Sequence, residues 1–385
     1  MRGKILMAVA VMAFSNISFA DFLPDGRSVD WTKCGMPAGL TRPAASVDVK
    51  KDFGARGDGV TDDSMAFIAA FSALPSGGVV KVPLGTYLIK KPLVIGRSDV
   101  YLEGKGPKKT GLLFSFDDAP AADAITVAGA PGSEWMTVKS GATKGSSELT
   151  VEDGSVFKAG DFAEIQQDND QSIHYTNQMW NQDWAQEVIG QMVRVAGVEG
   201  DRIRVEPSLH IGYNPKMDPK IRKINPVVNS GIKGIMLERR DKGDGDIIAM
   251  DCAAYCFVRN VESKYAMRSH VCVERSLECE IRDSYFHHAH DYGGGGHGYG
   301  VELNRHATSC LVENNRFDNL RHSMMAHLGA NGNVFGYNES TRPVATGDHT
   351  PGTIICDISV HGHYPYMNLF EGNTVQKIEV SDWWG

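Results

Sequence analysis

The segments "CFVRN" (residues 256–260), "CEIRD" (279–283) and "CLVEN" (310–314) share a short apolar alternation that closes on asparagine or aspartate. Two looser copies, "NVFGYN" (333–338) and "NLFEGN" (368–373), continue the series. The most closely spaced copies start 23 residues apart, at 256 and 279 and again at 310 and 333. Such alternation bounded by turn formers indicates a strand. A period near this length is typical of one coil of a parallel β-helix with three short strands, and the longer gaps indicate loops inserted into coils.

The repeat predicts which residues stack on successive coils. Cys256, Cys279 and Cys310 occupy one column, and we interpret them as small buried apolar residues rather than as disulfide partners. The closing residues are expected to form a structural ladder, because their side chains can bond the backbone of a turn. The ladder residues are Asn260, Asp283, Asn314, Asn338 and Asn373.

A second pattern lies near the N-terminus. In "KDFGARGDGVTDDSMAFIAAFSAL" (51–74), a glycine-rich turn precedes Asp62, Asp63 and an apolar periodic stretch. This order predicts an amphipathic helix whose acidic residues cap its N-terminus and fix the turn, rather than act in catalysis. The following "GGVVKVPLGTYLI" (77–89) predicts two strands around a Pro-Leu-Gly turn, and the helix is expected to plug the open end of the coils.

Residues 51–89 resemble the N-terminal segment of the pectate-lyase superfamily and of polygalacturonase-like proteins. The shared features are the Phe-Gly-Ala turn, Gly-Asp-Gly, Thr-Asp-Asp, Gly-Gly-x-Val and Pro-x-Gly-x-Tyr. The resemblance implies an all-β chain folded as a right-handed parallel β-helix. Because that fold carries lyases, hydrolases, epimerases and glycan binders, it narrows the class of activity only to carbohydrates.

Four regions are expected along the chain. Residues 1–20 resemble a secretory signal peptide, since Arg2 and Lys4 precede a short apolar run and a small-x-small site at 18–20. Residues 21–130 would hold the N-terminal cap and first coils, and residues 131–228, rich in hairpin patterns, an inserted small antiparallel β subdomain. Residues 229–385 would hold the remaining coils. No capping segment follows the last repeat, so we expect a possible truncation after "SDWWG".

Composition limits the partners. The chain of 385 residues has 42% hydrophobic and 22% charged residues, as in globular proteins, and a formal net charge of -8. A net acidic protein gains no long-range attraction to polyanions, so we predict no nucleic-acid partner. No later stretch is long and apolar enough for a membrane span. The signal-peptide pattern predicts a secreted or periplasmic location, and the resemblance described above implies a polysaccharide partner.

The candidate site surrounds "HHAHDYGGGGHGYG" (287–300), a loop inserted into one coil. Counting back seven residues from the repeat predicts one inward column, made of Cys272, Leu303, Ala326 and His361. One column further back, the same count aligns Arg268, Tyr299, His322 and Asp357. The neighbours of the inward column, including Glu302, Asn304, Met325 and His327, would then face outward under the loop. Such a concentration of titratable groups on one wall is typical of an active site. The predicted catalytic residues are His288, His290, Tyr299, Glu302, His306, Arg321 and His322, and the predicted substrate-binding residues are Asp291, Arg305, His327, Trp180 and Trp184.

The favoured chemistry is β-elimination of an acidic, uronate-containing polysaccharide. Tyr299 and a histidine could supply acid and base, while Arg305 or Arg321 neutralises the substrate carboxylate. Hydrolysis, the runner-up, would pair Glu302 with Asp291 or Asp318. Residues 299–306, "YGVELNRH", are also similar to the Tyr-Gly-x-Asp-Pro-His motif of mannuronan C5-epimerases, with Glu302 and Asn304 in place of aspartate and histidine. A non-catalytic glycan-binding or adhesin module is the remaining alternative, and Trp180 and Trp184 could instead anchor their loop.

No metal or cofactor is predicted with certainty. His288, His290 and His297 could supply three imidazoles, but four consecutive glycines make a poor frame for fixed coordination. Calcium remains possible, with oxygen ligands from Asp291, Glu302 or the Asp283 column.

Overall fold

The structure is a computed structural model that describes residues 26–173, 178–345 and 355–380. The predicted signal peptide and the terminal "SDWWG" lie outside the described residues. Three stacked parallel sheets, named here A, B and C, run along the molecule, and most coils contribute one strand to each sheet in that order. The predicted right-handed parallel β-helix is confirmed.

The strands of the helix are short and entirely parallel within their sheets. Sheet A contains Ser46–Asp48, Gly78–Lys81, Val100–Glu103, Gly231–Lys233, Phe257–Arg259, Glu280–Arg282, Leu311–Glu313, Val334–Gly336 and Leu369–Glu371. Sheet B contains Asp58–Asp62, Gly85–Ile89, Thr110–Phe114, Met236–Arg239, Glu262–Ala266, Tyr285–Ala289, Arg316–Asp318 and Glu339–Thr341. Sheet C contains Leu93–Ile95, Ile125–Ala128, Ile248–Asp251, Ser269–Glu274, Tyr299–Leu303, His322–Ala326, Cys356–Val360 and Ile378–Val380. A further parallel pair joins Val227–Val228 to Ala253–Ala254.

One continuous hydrophobic core fills the interior of the coils. Alternation along each strand points every second side chain inward, so equivalent residues of successive coils stack. Phe286 and Phe317 of sheet B are fully buried with ring centroids 5.4 Å apart. Burying each such ring stabilises the fold by about 2–3 kcal/mol. The cysteines of the repeat lie in this core, and all seven cysteines are free thiols.

The residues predicted to form one ladder lie in two separate ladders, at neighbouring positions of the turn. Asn260, Asp283 and Asn314 stack in the left-handed region, with φ of 51°, 55° and 54°. Asn338 and Asn373 instead align one position later, beneath Asn315, and each accepts the backbone N–H of the residue on the coil before it. On these coils the turn from sheet A to sheet B spans two residues, and asparagine or aspartate side chains bond neighbouring turns to one another.

The predicted helix is present at Ser64–Ser72. Asp63 accepts backbone N–H groups of Arg56 at 2.6 Å and Gly57 at 3.0 Å, and Asp62 accepts the N–H of Ser64 at 3.0 Å. The acidic residues therefore hold the turn and the first helical residue. Buried Phe67, Ala70 and Phe71 join the core, so the helix covers the end of the coils.

Between a C strand and the next A strand, the chain forms a separate antiparallel sheet. Six of its strands close on themselves, because Met136–Ser140 pairs with both Glu148–Val151 and Lys220–Asn225. This barrel has its own core, which also takes in Leu328 from the coils. Its strands are Ala130–Pro131, Met136–Ser140, Glu148–Val151, Phe162–Gln167, Ile189–Glu199, Arg202–Glu206 and Lys220–Asn225.

Short 3-10 turns complete the secondary structure at Trp31–Lys33, Gly154–Val156, Gln178–Trp180, Asp183–Ala185 and Pro215–Met217. Among the residues described, none of the helices is long and apolar enough to span a membrane.

Candidate functional site

The register of sheet C decides which side chains share its outer wall. Tyr299 pairs with His322, Glu302 with Met325, and Leu303 with Ala326, as predicted. On the two flanking coils, the observed pairing is shifted by one residue from the predicted alignment. Leu303 pairs with Val273 rather than Cys272, and Ala326 with Val360 rather than His361. Likewise, the partners of Tyr299 and His322 are Ser269 and Cys356, not Arg268 and Asp357.

The error has a simple cause. Counting back assumed equal connections from every C strand to the next A strand. The connection is one residue shorter after Val273, and one longer after Val360, than after Leu303. Because side chains alternate, that slip exchanges inward and outward residues.

Glu302 lies at the centre of the wall and is only 4% exposed. Its carboxylate accepts the hydroxyl of Ser269 at 2.8 Å and the amide of Asn304 at 3.2 Å, and His327 Nδ1 lies 3.5 Å away. Burial alone would raise the pKa of Glu302, but His327 and Ser269 hold it below its usual value. Glu302 is therefore ionised at neutral pH.

Asp246 is a second buried carboxyl on the wall, and the sequence reading missed it. Its Oδ1 accepts the backbone N–H of Ser269 at 2.8 Å, so Ser269 joins the two carboxyl groups. Burial, together with the charges of Glu302 and Asp123, raises the pKa of Asp246 well above its usual value. The only sequence signal was its place in "GDGD" (243–246), just before a C strand.

Tyr299, Arg321 and His322 form a cluster beside this pair. The Tyr299 and His322 ring centroids are 5.0 Å apart, and the Arg321 guanidinium lies 5.8 Å from the Tyr299 ring centre. Burial raises the pKa of Tyr299 to about 12, so the phenol keeps its proton. Burial, together with the charge of Arg321, lowers the pKa of His322 to about 3, so its imidazole is neutral.

Arg321 is 8% exposed, and one of its terminal nitrogens donates to the carbonyl of Gly293. Its Nε has no hydrogen-bond partner, and no carboxylate of the described ranges lies within ion-pair distance of its guanidinium. A buried guanidinium without a counter-charge is costly unless a ligand supplies one.

The glycine-rich loop rests on the wall through Arg321. Asp291 accepts the N–H of Gly293 at 2.9 Å and pairs with His297 Nδ1 at 2.8 Å. Asp291 therefore stabilises the loop itself. Asp318, the other carboxylate proposed to partner Glu302, lies on sheet B, bonded to Arg342 and to the Tyr285 hydroxyl.

His288 and His290 lie towards sheet B. His288 has a left-handed backbone, with φ of 57°, and its ring contacts His287 and Tyr265. His290 packs on Tyr265, and its Nε2 lies 3.0 Å from the carbonyl oxygen of Arg239. The carbonyl can only accept, so Nε2 of His290 carries the proton. These contacts bring the two histidines to Tyr265 rather than to Tyr299.

His306 is fully buried between the coils and the barrel. Its Nδ1 lies 2.7 Å from the Glu164 carboxylate and its Nε2 2.8 Å from the carbonyl of Glu187. Both partners only accept, so both ring nitrogens carry protons and the ring is an imidazolium. Burial alone would raise the pKa of Glu164, but His306 and Arg222 lower it to about 2. The structure thus makes His306 an anchor of the barrel.

The remaining predicted binding residues lie at the barrel side of the wall. Arg305 donates to the carbonyl of Trp184 at 2.6 Å. The Trp184 ring is 42% exposed and lies 6.1 Å from His327 and 5.6 Å from His363. Trp184 is therefore both tied to the coils and open on one face. Trp180 ends the neighbouring 3-10 turn and is half-buried.

Metal ligation has no support in the described parts of the chain, where no group of three or more His, Cys, Asp or Glu side chains could hold an ion. His297 pairs with Asp291, and Asp283 accepts from Asn314 at 2.7 Å.

Comparison with known proteins agrees with this architecture. Residues 46–206 match the family model described as rhamnogalacturonase A/epimerase, pectate lyase-like. A glucan 1,3-beta-glucosidase of Cochliobolus carbonum is 50% identical over 56 residues, covering 11% of this chain and 7% of that protein. An exopolygalacturonase of Arabidopsis thaliana is 35% identical over 96 residues, covering 25% of this chain and 19% of that protein.

Solved structures extend the likeness along most of the chain. The tailspike protein gp49 of Pseudomonas phage LKA1 has a TM-score of 0.62 at 16% identity, covering 85% of this chain and 59% of that one. The tailspike gp61 of Pseudomonas phage phi297 has a TM-score of 0.53 at 14% identity, covering 87% and 64%. Residues 46–206 are therefore similar to pectate-lyase-like proteins, and most of the chain shares the right-handed parallel β-helix fold of the two tailspikes. The matched parts span well under two thirds of the two curated relatives.

Proposed function

We propose that this protein cleaves an acidic, uronate-containing polysaccharide by β-elimination on the outer wall of sheet C. The observation that carries the proposal is the buried Arg321 guanidinium, which lacks a counter-charge among the described residues and lies beside a protonated phenol and a neutral imidazole. A substrate carboxylate would supply the missing charge.

Each group has one role in this reaction. Arg321 binds the uronate carboxylate and stabilises the negative charge that develops when the neighbouring carbon loses its proton. His322 accepts that proton, and the electron pair forms the carbon–carbon double bond as the glycosidic carbon–oxygen bond breaks. Tyr299 donates a proton to the leaving oxygen. Burial weakens His322 as a base in the empty site, and a bound carboxylate would raise its pKa.

Glycoside hydrolysis is the second candidate, and the Asp246 and Glu302 pair favours it. Two carboxyl groups joined by Ser269 have pKa values shifted in opposite directions, which suits a general acid and an ionised partner. The glucosidase and the exopolygalacturonase to which parts of the chain are similar are hydrolases by name. An extracellular polymer as substrate agrees with the predicted secretory signal, so we propose a secreted or periplasmic location.

One assay separates the candidates. Purified protein is incubated with polygalacturonate, alginate and a neutral β-glucan, and ultraviolet absorbance and reducing ends are followed. Absorbance from an unsaturated uronate supports the lyase, and reducing ends without it support the hydrolase. Inverted uronates without cleavage would indicate an epimerase. Binding with none of these products would refute catalysis and leave a glycan-binding module.

Matched variants test the assigned roles. Arg321→Gln should abolish elimination, whereas Asp246→Asn and Glu302→Gln should abolish hydrolysis. Arg202→Gln is the control, because Arg202 is an exposed arginine of the barrel. Normal elimination by Arg321→Gln would contradict the proposal.

A further inference from the structure

A row of rings crosses the outer face of sheet B, on the other side of the glycine-rich loop from the wall. Tyr285 stacks on His287 with centroids 4.3 Å apart, and His287 meets His288 at 5.0 Å. Tyr265 then contacts His288 at 5.8 Å and His290 at 5.7 Å. These five residues, Tyr265, Tyr285, His287, His288 and His290, are called the ring strip below.

The ring strip lies outside the hydrophobic core. Tyr265 is 39% exposed and the other four rings are half-buried, whereas the phenylalanine beneath them, Phe286, is fully buried. The core is complete without the strip, so packing alone does not account for five rings in contact at the surface. Planar rings with polar edges, partly open to water, are typical of surfaces that stack on sugar rings.

The polar atoms of the strip are arranged for neutral partners. His287 donates from Nε2 to Glu262 at 3.3 Å, which leaves its Nδ1 as an acceptor. His288 must then donate its Nδ1 proton across the 2.8 Å contact with His287. The contact uses Nδ1 of His288, so its Nε2 is left to hydrogen-bond a sugar hydroxyl.

Charges around the strip are largely compensated. Lys264 pairs with Glu238 at 3.1 Å, and Arg342 pairs with Asp318. Arg316 is the exception. It is exposed, lies 5.2 Å from the Tyr285 ring centre, and has no ion-pair partner within the described residues. A single free cation beside stacked rings fits a sugar chain that carries occasional acidic groups.

We propose that the ring strip is a second glycan-binding site, which holds sugar residues of the polymer outside the cleavage site. The strip and the wall share one connecting segment, since His290 directly precedes Asp291 and the loop that rests on Arg321. A chain leaving the wall past this loop meets the strip next. The idea rests on the proposed function only for the identity of the polymer, because binding here needs no catalysis.

The test is affinity electrophoresis in gels that contain polygalacturonate, alginate or a neutral β-glucan. The background variant is Arg321→Gln, which weakens binding at the wall. In that background, the added pair Tyr265→Ala and Tyr285→Ala should weaken retardation at least fivefold in a gel that retards the parent. Tyr265→Phe with Tyr285→Phe should restore it. Tyr337→Ala, which removes a more exposed tyrosine outside the strip, should leave it unchanged.

The outcomes separate this inference from the proposed function. Absence of retardation of the parent in all three gels, or equal retardation of the alanine pair with unchanged melting temperature, would overturn the second site. Retardation that depends on the strip, with no product from the wild-type protein, would leave the site intact and refute the proposed function.

Discussion

The outer faces of sheets B and C are built from the same coils, yet they differ in exposure and in chemistry. On sheet C, Tyr299 is 5% exposed, and burial shifts the pKa values of Asp246, Tyr299 and His322. On sheet B, Tyr265 remains open to water. The segments that cover a sheet, rather than its strands, therefore decide whether a row of polar side chains becomes a reactive wall or a binding surface.

Chain connections explain why only sheet C is covered. The glycine-rich loop enters its strands from sheet B, and the barrel is inserted where a strand of sheet C leads on to sheet A. Both insertions therefore emerge beside sheet C. From Gly231–Lys233 onward, by contrast, each described connection between a strand of sheet A and the next strand of sheet B is a two-residue turn, and asparagine side chains hold several of these turns.

The largest expected effect comes from loosening the barrel, which covers part of sheet C. Glu164→Gln removes the carboxylate that compensates buried His306 and Arg222, so it should lower the free energy of unfolding by about 3–5 kcal/mol. Urea denaturation measures the change. The control is Glu148→Gln, whose exposed pair with Arg202 should contribute less than about 1 kcal/mol. Equal effects of the two substitutions would show that the buried network does not hold the barrel.

The next effect contrasts one tyrosine from each face. Tyr299→Phe removes the proposed acid and should lower turnover by at least about a hundredfold, with unchanged melting temperature. Tyr285→Phe, on sheet B, should lower turnover of a short oligosaccharide less than about threefold, because an uncharged ring is retained and no reacting atom is near. Steady-state rates decide, and similar losses in both variants would remove the distinction between the faces.

Acid should destabilise the protein through its buried neutral histidines. Burial lowers the folded pKa of His322 and His270 to about 3 and of His210 to about 4. As pH falls below about 6.5, these histidines bind protons in the unfolded chain but not in the folded protein. The free energy of unfolding therefore falls until the pH reaches the pKa of the folded state. Each histidine should contribute a loss of about 2 kcal/mol between pH 6.5 and 5. Melting temperature against pH measures it, and His322→Gln should flatten the slope; an unchanged slope would contradict a neutral His322.

The smallest effect tests a residue that sequence reasoning placed in the catalytic set. His290→Ala should change turnover of a short oligosaccharide less than about threefold, since its contacts are with Tyr265 and Arg239. A hundredfold loss of turnover would instead indicate that His290 takes part in the reaction, after a rearrangement of the loop when substrate binds.

The sequence by itself determined the coil, because the repeat is local and periodic. Each copy of the strand pattern, closed by a turn residue, specifies one coil. Because a coil contacts only its neighbours, repeated copies predict the stack. The same pattern correctly aligned Tyr299 with His322 and placed Glu302 on the outer face of the coil.

Tertiary structure alone decided which of these residues act together. Turn lengths between sheets shifted the flanking register by one residue, which a strand pattern does not encode. Stacking of coils brought Asp246 to Glu302, across Ser269, from a segment without a motif. The left-handed backbone at His288 directed that histidine towards sheet B, and the barrel converted His306 into a buried imidazolium. Contacts between segments far apart in the chain set burial, and burial sets the charge of each group.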